Sequence, residues 1–429
     1  MPDYKKKRIN RFKPAPRRKR ALPTDEDIKM TPADKRRKKS EKPEKTPEMP
    51  LRVVNGKKLE RRRKTGMFFS VALIIALILT VFQLVLPAGI TENTENLISL
   101  IGKGSYPISL ESTETLSAVS RGSYYYVLTD TRLNAFANGG KEIYSHSHGF
   151  ENPVMKTSST RALVFDQGGN EAYIYNLHEL KSSISSDAEI INAAVSDSGV
   201  YAVVTRSESY ASVVTVYSKR GKKIYTWYSS ADTVNNVAVA PNGKKIAVST
   251  FNSTNGKFVS KICILNFDSA NPISSVDVEG GPVITLNSFH RTGFIAATEN
   301  KLYFINWSGK NNTEYKNDYT LSRLSAGTGG TVAVFNREND RADNRIVLFG
   351  TNGQLKKEFE FKGTVGDIAV SGGHIYCISD TEVFLYAGDG KLLRKAECGF
   401  GGVKIAPLGR TLAAVITDNR IDKIQLEQK

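Results

Sequence analysis

The sequence predicts an all-β fold, an eight-bladed β-propeller, that follows a single transmembrane helix and a disordered basic tail. From Tyr106 to Leu426, short runs rich in Val, Ile, Tyr and Thr alternate with polar residues, and Gly, Asn, Asp and Ser turns separate the runs. This pattern is typical of β-strands. A turn-plus-strand unit recurs eight times in the region, and one uncharged stretch of 21 residues precedes it.

The N-terminal tail, residues 1–65, is strongly basic. It carries 25 Lys and Arg against 9 Asp and Glu, while the whole chain has a net charge of +17, so the remainder is nearly neutral. Residues 1–50 contain few large apolar side chains, and we expect them to be disordered. We expect the basic clusters to contact anionic lipid rather than nucleic acid, although a specific acidic partner is an alternative.

Residues 66–86 are the predicted transmembrane helix. At about 1.5 Å per residue this helix would be roughly 31 Å long, close to the thickness of a bilayer's hydrocarbon core. A cleaved signal peptide fits less well because the apolar region is too long, and a buried core helix would need a polar face. Four basic residues directly precede the segment: Arg61, Arg62, Arg63 and Lys64. Since positive charge resists translocation, the sequence predicts a single-pass plasma-membrane protein with a cytoplasmic tail and an extracytoplasmic C-terminal domain.

Residues 87–105 form a predicted spacer, and residues 106–429 form the predicted propeller. Each repeat unit is a turn of small residues followed by a strand with alternating apolar positions. Successive units begin about 40 residues apart, the size of a four-stranded propeller blade. The units begin at Arg121, Ser159, Ser198, Asn242, Arg291, Thr328, Gly372 and Gly409. Eight units imply eight blades, with seven as the alternative count.

The last unit contains only three strands before the C-terminus. Residues 106–110, YPISL, precede the first complete unit and could supply the missing fourth strand. Closure by both termini would remove the exposed sheet edges that otherwise invite aggregation.

These segments together resemble a known family. The basic tail, the single span, the segment GSYPISLE from Gly104 and the segment YYYVLTDTRLNAFANGGKEI from Tyr124 resemble the domain-of-unknown-function 5711 family of clostridial bacteria, membrane-anchored propellers with YVTN- and WD40-like blades. The resemblance implies a Gram-positive envelope setting. It implies no activity, because none is assigned to the family.

The sequence offers little chemistry of the kind that catalysis needs. His146 and His148 have a spacing compatible with metal binding, but no Cys or third His lies near them, and we expect no metal, cofactor or catalytic residue. Cys263 and Cys377 lie inside apolar strands and should pack as small hydrophobic groups. A bridge from Cys377 to Cys398 would join strands of one blade that are not neighbours, so we expect no disulfide.

The links between second and third strands are the predicted recognition sites. They are longer and more varied than the other links in three units, at residues 206–211, 251–258 and 336–344. All second-to-third links emerge on one face of a propeller, and variable loops on a rigid scaffold often carry recognition. Tolerated insertion is the alternative explanation. The candidate partner-binding residues on this face are Tyr210, Asn255 and Arg341.

These features predict a membrane-anchored, non-catalytic binding or scaffolding module of the bacterial cell envelope. The expected partner is an envelope protein, or a glycan that stacks on exposed aromatic residues such as Tyr210, Trp227 and Trp307; on strands, such aromatics more often pack between blades. The alternatives are a propeller enzyme, quinoprotein-like or carbohydrate-active, and an outer sensor coupled to the basic tail.

Overall fold

The computed structural model describes residues 69–70, 73–74, 98–102, 104–254, 256–289, 292–310, 312–327, 329–399 and 401–426. The predicted tail lies outside these residues, and so do Arg61, Arg62, Arg63, Lys64 and Asn255. Of the predicted span, only residues 69–70 and 73–74 are described, and they are helical. No helix within the described residues has the length and apolar character that a membrane crossing requires.

The described residues form 32 strands, arranged as eight four-stranded antiparallel sheets that we call blades 1 to 8. Blade 1 contains β2 (Thr115–Ser120), β3 (Tyr124–Thr129), β4 (Arg132–Ala137) and β5 (Glu142–Ser147), and blade 2 contains β6 (Pro153–Thr157), β7 (Ala162–Asp166), β8 (Glu171–Tyr175) and β9 (Leu180–Ser185). Blade 3 contains β10 (Ile190–Val195), β11 (Tyr201–Thr205), β12 (Ser212–Tyr217) and β13 (Lys223–Ser229), and blade 4 contains β14 (Thr233–Val239), β15 (Lys245–Thr254), β16 (Lys257–Asn266) and β17 (Ser274–Val278).

Blade 5 contains β18 (Thr285–Phe289), β19 (Gly293–Ala297), β20 (Lys301–Asn306) and β21 (Thr313–Lys316), and blade 6 contains β22 (Thr320–Gly327), β23 (Gly330–Arg337), β24 (Asp340–Phe349) and β25 (Leu355–Lys362). Blade 7 contains β26 (Asp367–Ser371), β27 (His374–Ser379), β28 (Glu382–Ala387) and β29 (Leu392–Glu397). Blade 8 contains β30 (Lys404–Pro407), β31 (Leu412–Ile416), β32 (Arg420–Gln425) and the N-terminal strand β1 (Ile108–Ser109). The prediction of eight blades is therefore confirmed, and the alternative of seven is wrong.

The ring closes where the sequence predicts. β1 pairs antiparallel with β32, with Ile108 opposite Ile421 and Ser109 opposite Arg420. The backbone N–H of Leu110 extends the pairing by donating to the Asn419 carbonyl oxygen at 2.7 Å. The Leu110 side chain is buried against apolar residues of blades 8 and 1. The N-terminal strand thus covers the edge that a three-stranded last blade would leave exposed.

The hydrophobic core is divided into eight layers, one between each pair of neighbouring blades. In each layer, apolar residues of one sheet face those of the next because the side chains of a strand alternate between the two faces of its sheet. Between blades 8 and 1, Tyr125 and Phe136 are almost fully buried, with their rings stacked at 5.5 Å. Both faces of every blade are buried in this way, which makes the ring a rigid scaffold.

Five of the seven described turns between third and fourth strands share one geometry. In blade 1, the Gly140 N–H donates to the Ala137 carbonyl oxygen at 2.9 Å, and Gly140 has φ +87°. In blade 6, Gly353 repeats the arrangement with φ +82°. A type I turn followed by a left-handed residue produces this pattern, and glycine adopts the left-handed region without a steric penalty. The recurring Gly of these third-to-fourth turns therefore has a conformational cause.

Candidate functional site

The propeller has two different faces, because every first strand runs in the same direction across the ring. The first-to-second and third-to-fourth links lie on one side, which we call the turn face. The second-to-third links and the links between blades lie on the other side, which we call the hairpin face. The candidate residues of the sequence analysis belong to the hairpin face, and the mouth of the central channel opens on the turn face.

Two of the three longer links on the hairpin face are strands rather than loops, which corrects the sequence prediction. β15 and β16 pair continuously out to Thr254 and Lys257, so residues 251–254 and 257–258 belong to a long hairpin. β23 and β24 also pair out to Arg337 and Asp340, with a break in register between Asn336 and Arg337, and they turn at Asn339, which has φ +64°. Backbone pairing continues there despite the polar side chains because β-propensity is weak beside a ladder that is already formed. Residues 206–211 do form a loop, as predicted.

The hairpin of blade 6 is held by a buried amide. Asn344 is completely buried, and its amide nitrogen donates to the Arg341 carbonyl oxygen at 3.1 Å and to the Gly363 carbonyl oxygen at 2.6 Å. Its side-chain oxygen accepts a hydrogen bond from the Asn336 amide at 2.7 Å. Because a buried amide is stable only when its donors and acceptors are satisfied, this network fixes the base of the hairpin.

Charged groups brace the same hairpin. The Asp343 carboxylate lies 2.7 Å from the Lys362 ammonium and 3.2 Å from the Arg337 guanidinium. Its hydrogen bond to Lys362 is the main cause that lowers the pKa of the Asp343 carboxyl below its usual value. Arg345, also on β24, lies over the Tyr319 ring at 4.6 Å from its centroid. The hairpin is thus a supported element whose tip is presented to solvent.

Tyr210 is the most exposed aromatic among the candidate residues. Its side chain is 41% exposed and packs at 4.8 Å against the ring of Tyr228, which is 54% exposed. By contrast, Trp307 is buried against Phe294, and Trp227 donates its indole N–H to the Ala270 carbonyl oxygen at 2.9 Å. The two tryptophans therefore serve blade packing, whereas the tyrosine pair leaves aromatic surface exposed.

The structure places Tyr210 and Arg341 on the same face but does not bring them together. Tyr210 lies in blade 3, and Arg341 lies in blade 6 on an exposed part of β24. Between them, the hairpin of blade 4 exposes 65% of Phe258 and 39% of Val259. The sequence analysis did not identify Phe258 and Val259 because residues 251–258 resembled a loop. The signal that could have identified them is a pair of adjacent apolar residues close to Gly256. Exposed apolar and aromatic groups of this kind often mark interaction surfaces.

A cavity of about 380 Å³ fills the centre of the ring, lined by the first strands of all eight blades. It continues into a second cavity of about 550 Å³ at the turn face, whose walls are the ends of the first strands and several first-to-second links. The wall residues are mostly Ala, Val, Ser and Thr. This channel was not among the predicted sites, because its residues are contributed by eight separate units of the sequence.

Four of the described charged side chains line the channel: Arg121, Lys156, Asp197 and Asp367. The Arg121 guanidinium donates to the carbonyl oxygens of Ser158 at 3.0 Å and Ser120 at 3.2 Å, so it is held by the backbone at the mouth. Burial raises the pKa of the Asp367 carboxyl, against the effect of a hydrogen bond at 3.0 Å from the backbone N–H of Ile405. Burial lowers the pKa of the Lys156 ammonium. Desolvation explains both pKa shifts, since a low-dielectric environment disfavours the charged form of each group.

His146, His148 and the three cysteines have structural roles. The His146 ring nitrogen lies 3.0 Å from the Tyr175 hydroxyl, and His148 is buried with a ring nitrogen 3.2 Å from the Thr129 carbonyl oxygen. Among the described residues, no group of three potential ligands could hold a metal ion. Cys263, Cys377 and Cys398 are free thiols. Burial raises the pKa of the Cys377 thiol to about 12, consistent with its predicted role as a small hydrophobic group.

The chain belongs to the DUF5711 family, a family of unknown function, whose model matches residues 103–426. No curated protein matches it. Several solved structures are similar in fold. Sqt1 of Saccharomyces cerevisiae is 10% identical with a TM-score of 0.53, and the match covers 76% of this chain and 100% of that one.

Two further structures show the same likeness. The C-terminal WD40 domain of Sif2 is 11% identical with a TM-score of 0.53, over 76% of this chain and 100% of that one. The computationally designed protein Ika8 is 11% identical with a TM-score of 0.51, over 74% of this chain and 98% of that one. Similarity at this level of identity shows the fold alone, so function has to be argued from the surface of this chain.

Proposed function

We propose that this protein is a non-catalytic binding or scaffolding module of the bacterial cell envelope, and that its partner docks on the hairpin face. One observation carries the proposal: a rigid ring presents two projecting hairpins and an exposed tyrosine pair on one face, while the other face consists largely of tight turns. Rigid scaffolds that carry exposed aromatic and arginine side chains are well suited to recognition, because little conformational entropy is lost on binding.

The partner is an envelope protein or a glycan. Tyr210 and Tyr228 offer ring surface and hydroxyl groups, and Arg341 offers a guanidinium without an ion-pair partner among the described residues. A groove of about 240 Å³ lies on the same face beside Pro282 and the exposed Ile284. An extended partner could therefore contact several neighbouring blades at once.

Alanine substitution tests the choice of face. Tyr210, Asn255 and Arg341 would be replaced together, and a matched variant would replace Asn242, Lys244 and Arg410, which are exposed on the turn face. Substitutions of this kind usually change the free energy of unfolding by less than about 0.5 kcal/mol each. We expect the first variant to retain less crosslinked partner on purification and the second to retain it fully. The reverse result would show that the partner binds the turn face and that the hairpins are tolerated insertions.

The location is tested separately. The proposal places residues 66–86 across the plasma membrane, the tail in the cytoplasm and the propeller outside, since the charge is concentrated in the tail. External protease on protoplasts should then digest a C-terminal tag and spare an N-terminal tag. Lysed protoplasts provide the control, because both tags must become accessible. A C-terminal tag that stays protected in intact protoplasts contradicts this location.

A further inference from the structure

The central channel holds one ammonium group that the described residues leave uncompensated. Lys156 lies on β6 and lines the cavity of about 380 Å³. Among the described residues, no group hydrogen bonds to its side chain and no carboxylate lies within ion-pair distance. Burying a charge is unfavourable unless a partner of opposite charge or strong hydrogen bonds compensate it. A lysine in this position therefore indicates a place for an anion.

The other charged groups of the channel do not supply that anion. The Asp197 carboxylate lines the turn-face cavity, where it accepts a hydrogen bond from the Ser159 backbone N–H at 2.7 Å, and it does not pair with Lys156. Arg121 adds positive charge at the mouth, where backbone carbonyl oxygens already accept its hydrogen bonds. Asp367 is the first residue of β26, near the hairpin-face end of the channel, whereas Lys156 lies near the turn-face end of β6. The Asp367 carboxylate accepts a hydrogen bond from the Ile405 N–H and does not pair with Lys156.

We propose that the channel binds a small monocarboxylate with an apolar body, and that its carboxylate pairs with Lys156. The charge favours a monoanion, because a single ammonium cannot compensate a dianion such as a phosphate monoester in a partly desolvated site. The volume is in the range of pockets that hold small molecules. The surface of the central cavity is mainly polar, and the apolar body fits the adjoining cavity at the turn face, where Val195, Val239, Ala326 and Val370 line the wall.

The ligand enters from the turn face, through the cavity of about 550 Å³. This site goes beyond the proposed function, because it lies on the side opposite to the hairpins and shares no residue with them. The two proposals can therefore fail independently. The hydroxyls of Ser120 and Thr157 are engaged by the Pro407 carbonyl oxygen and by Arg121, so Lys156 is the group that selects for the carboxylate.

Fluorine NMR of 4-fluorobenzoate with the full-length protein in detergent tests the proposal. We expect saturable binding with a Kd in the millimolar range or tighter, and at least about tenfold weaker binding of the neutral 4-fluorobenzamide. The dianion 4-fluorophenyl phosphate should bind no more tightly than the benzoate. Lys156→Met should weaken benzoate binding about tenfold or more, whereas Lys156→Arg, which keeps the charge, should retain most of it.

Lys244→Met is the matched control, because Lys244 is exposed on the turn face outside the channel. This variant should bind the benzoate as the unchanged protein does. Equal binding by the Lys156→Met variant, equal binding of benzoate and benzamide, or no saturable binding of benzoate would each overturn the proposal. If Lys156→Met does not fold, the benzoate-to-benzamide ratio in the unchanged protein and in Lys156→Arg still decides the question.

Discussion

The turn face and the hairpin face are built from the same repeating unit, yet they differ in what they present to solvent. On the turn face, most links are tight turns that connect adjacent antiparallel strands. Glycines in the left-handed conformation, such as Gly140 and Gly353, set the geometry of these turns. On the hairpin face, β15–β16 and β23–β24 continue beyond their blades and expose side chains that no packing requirement explains. The difference teaches that backbone geometry constrains the links of the turn face, whereas the second-to-third links of the hairpin face can vary in length without changing the blade.

β1, the N-terminal strand that closes the ring, supports both faces, and its removal should have the largest effect on stability. Deletion of residues 106–110 removes β1 and the buried Leu110, and exposes the edge of β32. We expect the loss to be on the order of 5 kcal/mol, and the melting temperature to fall by roughly 10 °C. Thermal unfolding of the full chain and the deletion variant measures this effect. A melting temperature within about 2 °C of the original would show that blade 8 is stable with three strands.

The sequence predicts the closing strand well because its evidence is local. Apolar and polar side chains alternate in residues 108–110, and the last unit of the sequence lacks a fourth strand. The hairpins were harder to predict, since Asn252 and Ser253 have the residue types of a loop but pair with Val259 and Phe258. The channel could not be predicted, because Lys156 and Asp367 belong to blades that are distant in sequence and line one cavity only when the ring closes.

Asn344 at the base of the blade 6 hairpin is buried, whereas Asn242 on the turn face is exposed, so the two positions can be compared directly. Asn344→Ala removes two donated hydrogen bonds and one accepted hydrogen bond at the base of the blade 6 hairpin. We expect a loss of roughly 2–3 kcal/mol, because buried partners would be left unsatisfied. On the turn face, the Asn242 side chain is exposed and accepts one hydrogen bond, from the Lys244 N–H, so Asn242→Ala should cost about 0.5 kcal/mol. Equal losses in denaturant unfolding would remove this distinction.

Two glycines with similar backbone angles sharpen the comparison further. Gly353 on the turn face has φ +82°, and a Cβ at this position would clash with the Phe304 ring. Gly256 on the hairpin face has φ +74°, and a Cβ there would contact none of the described residues. Gly256→Ala should therefore cost only the left-handed strain of about 1 kcal/mol. Gly353→Ala adds a steric clash and should cost roughly 2–3 kcal/mol. If the two variants have the same free energy of unfolding, neighbouring packing does not constrain the turn.

Site-specific photocrosslinking on intact cells tests most directly the claim that the hairpin face is the recognition surface. A benzophenone side chain would replace Arg341 on the hairpin face or Arg410 on the turn face, and both positions are exposed arginines. We predict that irradiation of cells carrying the Arg341 replacement yields a discrete adduct, and that the Arg410 replacement yields little or none. An adduct from the Arg410 position alone would contradict the account.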